Sequence, residues 1–131
     1  MENKIYKVNN KEFSVLKNAR IKNKNIKIAI LNGEELCSKS MFIQEMIRQF
    51  NLPMKNTNNF DGFLDWMRDL EWIHEQEIVV VIYNFDNCIE DSGKKEIIKM
   101  FGQMILPFWE KEVEEVVMGG KRRNFNVYLV D

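Results

Sequence analysis

Six consecutive residues, Ile78-Val79-Val80-Val81-Ile82-Tyr83, leave this chain few folds to choose from. β-Branched side chains favour extended backbone. A strand apolar at every position is covered on both faces, as in the middle of an α/β sheet. Further strands are expected at Lys27-Ile28-Ala29-Ile30-Leu31 and Asn126-Val127-Tyr128-Leu129-Val130, with helical periodicity between them. Ser38 or Ser40 can cap a helix with Phe42, Ile43, Met46, Ile47 and Phe50 on its inner side, ended by Asn51 and Pro53. Ser92 can cap another that turns Ile97, Ile98, Phe101, Met104 and Ile105 inward, and Pro107 should kink or restart it. The order strand, helix, helix, strand, helix, strand fits parallel strands joined by crossover helices. The expected fold class is α/β: a small, mainly parallel three-stranded sheet flanked by helices.

At 131 residues the chain can bury one core. The Asn- and Lys-rich residues 1–25 read as an N-terminal extension to a domain over residues 26–131. Ile5-Tyr6-Lys7-Val8 and Glu12-Phe13-Ser14-Val15-Leu16 flank Asn9-Asn10, so the extension reads either as an extra hairpin or as a solvated, partly mobile tail. Asn32-Gly33 suits a turn needing positive φ. Gly119-Gly120-Lys121-Arg122-Arg123 lacks the spacing of a phosphate loop and reads as a solvated turn. Cys37 and Cys88 fit neither a zinc site nor a disulfide framework and read as small, partly buried residues. No secretory h-region is visible and no apolar run approaches bilayer length, so a reduced cytoplasm is the simplest expected setting.

Charge is unevenly placed. Before position 30, eight Lys and Arg face only Glu2 and Glu12, although the net charge is −1. From 57 to 77 the balance reverses: Asp61, Asp65, Asp69, Glu71, Glu75 and Glu77 face a single Arg68. Such asymmetry implies one charged surface with a purpose. Within it, Phe60, Phe63, Leu64, Met67 and Leu70 form one apolar stripe on a helix, while Asp61, Asp65 and Asp69 repeat every fourth residue on another face. Like charges one turn apart weaken an isolated helix by a few tenths of a kcal/mol per pair. Asp61 partly escapes that cost in the first turn, where Asn58 or Asn59 can cap.

Several of these segments together resemble the barstar family, intracellular inhibitors of a secreted bacterial ribonuclease. Ile30-Leu31-Asn32-Gly33-Glu34-Glu35-Leu36 is similar to the family's opening strand and turn. Phe50-Asn51-Leu52-Pro53 and Asn59-Phe60-Asp61-Gly62-Phe63-Leu64-Asp65 are similar to the end of its first helix and the start of its second. Residues 78–85 are similar to its middle strand. The resemblance covers roughly residues 26–106 and the last strand. It implies a protein that plugs a nuclease active site with its second helix and the loop before it. The aspartate matching Asp65 would lie where an RNA phosphate would, and that matching Asp61 would pair beside it. Asn58, Asn59 and Lys55 would shape the loop, Leu64 would fill a shallow contact, and Asp69 and Gln103 are counted with the partner-binding residues, although Asp69 reads more simply as solvated. The chain departs from the family where aromatic contact residues are replaced by Lys55 and Leu64, and a glutamate by Gln103. The segment from 107 to 123 is longer than expected.

The expected function is that of an immunity protein blocking a ribonuclease-type toxin, as a monomer in a one-to-one complex and without a cofactor. The alternative is an adaptor binding a non-nuclease protein through the same face. A nucleic-acid-binding role for the basic N-terminal region is disfavoured by the near-neutral total charge, and membrane binding likewise. Catalysis by the carboxylates is disfavoured because they share one helix without a partnering His, Lys or glycine-rich loop. His74 lacks the neighbours that a metal site needs.

Overall fold

The computed structural model describes residues 2–20, 25–87 and 90–131. Its sheet has four strands, not three, all parallel in the order β1-β4-β3-β2. They are β1 (Ile5–Val8), β2 (Ile26–Asn32), β3 (Glu77–Tyr83) and β4 (Asn124–Val130). The unbroken apolar run is an interior strand, β3, buried from Ile78 to Ile82. Its Val80 stands between Ala29 of β2 and Val127 of β4.

The N-terminal residues form neither a hairpin nor a loose tail. β1 lies parallel to β4, and the chain turns at once into α1 (Asn10–Arg20). The turn is a reciprocal cap. Asn9 Oδ1 accepts from the Glu12 N–H at 2.7 Å, and Glu12 Oε1 accepts from the Asn9 N–H at 3.1 Å. Phe13 and Leu16, one helical turn apart, then cover Val79, Val81, Tyr128 and Val130 on one face of the sheet. Asn3 fastens the strand further. Its Nδ2 donates to the carbonyls of Leu106 and Arg123, each at 3.1 Å, and its Oδ1 accepts from the Phe125 N–H.

On the other face lie α2 (Lys39–Phe50), α3 (Phe60–Met67), α4 (Asp91–Lys99) and α5 (Val113–Val116). Phe42 sits at their centre, edge-on to Phe63 and Phe101 at 6.3 and 6.2 Å. Ser38, one of the two candidates, caps α2 by accepting from the Met41 N–H. Asn51 ends it in the left-handed region at φ 52°. Ser92 caps nothing: α4 starts one residue earlier, and Glu90 before it makes no side-chain cap. Nor does the helix restart at Pro107. Leu106 and Pro107 keep helical dihedrals between two π-helical stretches, Met100–Ile105 and Phe108–Glu112. Wider π turns relieve the clash and the missing donor that a proline brings to a tight α-helix.

Gly33 is required for space rather than for a positive φ. A Cβ there would lie 2.2 Å from the carbonyl oxygen of Asn84. Cys37 also departs from expectation, being exposed and disulfide-bonded. Cys88 lies outside the described residues. Among the described residues no helix is long and apolar enough to cross a membrane.

Candidate functional site

The acidic helix starts where its sequence says it should. Asn59 Oδ1 accepts from the Gly62 N–H at 2.9 Å. A Cβ on Gly62 would meet the Asn59 amide at 2.5 Å, so the cap and the glycine belong together. Phe63 and Met67 are wholly buried, and Leu64 is 6% exposed. Leu64 is thus packed into the core beside Phe63 and Met67, with little surface left for the shallow contact expected of it.

Asp61 and Asp65, beside these buried residues, are both exposed, with 78% of the Asp65 side chain open to solvent. Arg68 is the nearest cation to Asp65, and its hold is loose: Nη2 stands 3.5 Å from Asp65 Oδ1, while Nε donates to the Leu64 carbonyl. An exposed pair at that distance contributes little. The carboxylate stays available to an outside partner.

The helix stops at Met67 instead of carrying its stripe on to Leu70. Leu70 takes φ 48°, and Asp69 falls in the turn between, accepting from the Glu71 N–H at 3.2 Å. The ridge thus consists of two carboxylates, with Asp69 serving the local turn.

Before the helix, Lys55 and Asn58 are exposed on a braced loop. Asn56 holds it by accepting from the Asn58 N–H at its side chain and from the Asn59 N–H at its carbonyl. The Thr57 and Ser40 hydroxyls, 2.6 Å apart, tie it to the first turn of α2. Gln103 is exposed between Met100 and Met104 of the first π stretch, and those two methionines line one hollow with Phe60, the first residue of α3. Loop, helix and π stretch therefore border one face. Replacing Asn59 with alanine should remove about 1 kcal/mol of stability, read as a lower urea midpoint, because one first-turn N–H loses its acceptor.

Sequence reasoning missed how the far end of α3 is held. Trp109 Nε1 donates to the Met67 carbonyl at 2.9 Å, and Arg123 Nη2 donates to that of Leu70 at 2.9 Å. The Arg123 guanidinium lies 4.7 Å over the Trp109 ring, with Nη1 buried and unpartnered. Burial lowers its pKa, and Glu75 opposes that shift. The run Lys121-Arg122-Arg123 was a visible signal, but spacing alone does not say which arginine turns inward. Trp66 packs edge-on to Trp72, whose Nε1 donates to the Phe50 carbonyl, so both border the core. Among the described residues no three of His, Cys, Asp or Glu are grouped to hold a metal ion.

A family model described as Barstar (barnase inhibitor) matches residues 26–118. The chain belongs to the barstar family. The match begins at β2, so β1 and α1 of this barstar-family chain lie outside it, as does β4. Comparison with curated protein sequences gives no match. Among solved structures, the chain is similar to the ORC2 protein of Aeropyrum pernix, determined as ADPNP-ADP complexes. The TM-score is 0.53 at 14% identity, over 98% of this chain and 34% of that one, so the chain spans about a third of that protein's length. At that identity the likeness concerns the fold alone.

Proposed function

We propose that this chain is an inhibitor of a ribonuclease-type toxin, acting by presenting Asp61 and Asp65 where the enzyme would otherwise hold RNA phosphates. The observation that carries this reading is the pair itself: two exposed carboxylates one turn apart on a helix anchored at both ends. A fixed carboxylate accepts two hydrogen bonds from one guanidinium, and its rigidity lowers the entropy lost on binding. Asn58 and Lys55 border the contact on the loop, and Gln103 borders it on the π stretch. Family membership supports a ribonuclease as the partner, and the acidic patch would speed encounter with a basic cleft.

The test is cleavage of a fluorescent RNA by barnase, and in parallel by other small basic ribonucleases, titrated with the chain. Inhibition of at least one of them should end at one equivalent. Asp65→Ala should weaken it by about 2–5 kcal/mol, a range set in part by the barnase–barstar complex itself. That is roughly 30-fold to several-thousand-fold in affinity. The side chain is exposed, so the variant should keep the native melting temperature. Undiminished inhibition by the Asp61→Ala, Asp65→Ala double variant would place the contact elsewhere.

A further inference from the structure

Three consecutive apolar side chains stand in solvent where α5 ends: Val116, Val117 and Met118 are 69%, 43% and 102% exposed. Exposed apolar residues scattered singly are ordinary, but adjacent ones mark a surface that meets something. The tip is also held out. The Val117 N–H donates to the Val113 carbonyl at 3.1 Å, and the Gly120 N–H donates to that of Val117 at 2.9 Å. Gly119 turns the chain at φ 73°, and an ion pair between Arg122 and Glu114 ties the segment after the turn back to α5. A segment so tied does not tuck its apolar side chains inward.

What lies beside the tip says what meets it. Val117 and Gly119 line a hollow of about 670 Å³ that Asp65 and Asp69 also line, with the buried Trp109 and Val113 between them. Arg68 and Lys121 border it too, so charges of both signs are present and charge does not select the occupant. Position does. A standard interface buries roughly 800 Å² on each partner, far wider than the mouth of such a hollow. An enzyme seated on the Asp65 carboxylate therefore extends across it to Val117. We propose that Val117 and Met118 form a second, apolar contact on the same ribonuclease that takes Asp65, and that the enzyme they fit carries an apolar surface beside its basic cleft. This inference rests on the inhibitory reading and names the kind of ribonuclease. The carboxylates attract any basic ribonuclease, whereas burying the tip is favourable only where the enzyme is apolar in turn. The charges set how fast the two proteins meet, and the tip sets how long they stay together.

The test uses the full chain and whichever ribonuclease it inhibits. Met118→Ser should weaken inhibition by about tenfold or more through faster dissociation, and Val117→Thr with Met118→Ser should weaken it further. The melting temperature of Met118→Ser should not change, because that side chain is fully exposed. The loss should be the same at about 0.05 and 0.5 M salt, whereas that from Asp65→Ala should shrink as its charge is screened. Val15→Ser, also exposed but on α1 across the sheet, should change nothing. Met118 supplies a readout apart from affinity: its oxidation by peroxide should slow by about fivefold or more with one equivalent of the enzyme bound. Inhibition that needs Asp65 but ignores both tip substitutions overturns this inference and leaves the inhibitory reading standing. So does a Met118 oxidised as fast in the complex as in the free chain. If the chain inhibits no ribonuclease, both fall.

Discussion

Replacing Phe63 with alanine should cost about 3–5 kcal/mol of folding free energy, the range for emptying a buried aromatic site. Phe63 has no exposed surface, and its ring stands 6.3 Å from both Phe42 and Phe60. Phe42 in turn packs on Phe101, so the space cannot close without moving three helical segments. A domain of ordinary stability holds about 5–15 kcal/mol, so a large share would go at once. The consequence for the site follows from helix length. α3 has eight residues, fewer than the roughly 12 at which an isolated helix becomes even marginal in water. Tertiary packing therefore keeps Asp61 and Asp65 in place. Urea titration followed by circular dichroism should show a much lower midpoint with an unchanged slope for Phe63→Ala. Asp65→Ala should fall within about 0.5 kcal/mol of the native chain, as exposed substitutions do. A Phe63→Ala variant as stable as the parent would remove the core account of the acidic helix.

The contrast between these neighbours shows what the sequence made legible. β3 could be read because a run of β-branched residues has no amphipathic helical alternative, and its burial is uniform. The start of α3 could be read because Asn59, Asp61 and the Phe63-Leu64-Met67 stripe agree at every level. Its end could not. Leu70 continues the apolar period and is indeed buried, yet it reaches the core through a left-handed turn. Periodicity records which residues are inside, not the backbone that brings them there. Leu64 belongs to the same lesson: its place on the apolar stripe agrees with its burial. At the N-terminus, Asn9-Asn10 between two partly apolar segments suggests a hairpin, while Asn9 with Glu12 three residues on carries the competing signal of a helix cap. The Asn32-Gly33 pair reads as a need for dihedral freedom, but the reason for the glycine is a carbonyl 51 residues away in the chain, which local patterns do not carry.

Trp109→Ala is expected to destabilise the chain by about 3–5 kcal/mol as well, and to act on the same helix from its other end. The last carbonyls of an α-helix have no partner within it. Here two side chains from the segment beyond Pro107 supply donors, Trp109 to Met67 and Arg123 to Leu70. The pair is interlocked. The Arg123 guanidinium rests on the Trp109 ring, and the Arg123 N–H donates to the Trp109 carbonyl at 3.0 Å. Removing the ring empties a site only 3% exposed, orphans the Met67 carbonyl, and strips a half-buried cation of the face it lies against. Trp109→Phe separates these contributions. It keeps part of the apolar contact but loses the indole N–H and the volume of the second ring. It should therefore cost less than alanine yet at least about 1–3 kcal/mol, the penalty for a buried acceptor left unpaired. Chemical denaturation of both variants provides the comparison, with amide exchange at residues 66–70 as the local readout. Exchange there should quicken in Trp109→Phe even under conditions where the rest of the core stays protected. Equal stability losses for the two substitutions would mean that a phenyl ring at this site restores nothing, and that the effect lies in the indole N–H and its second ring. Unchanged exchange would mean that α3 is closed by its own turn, with the longer C-terminal segment only packed alongside.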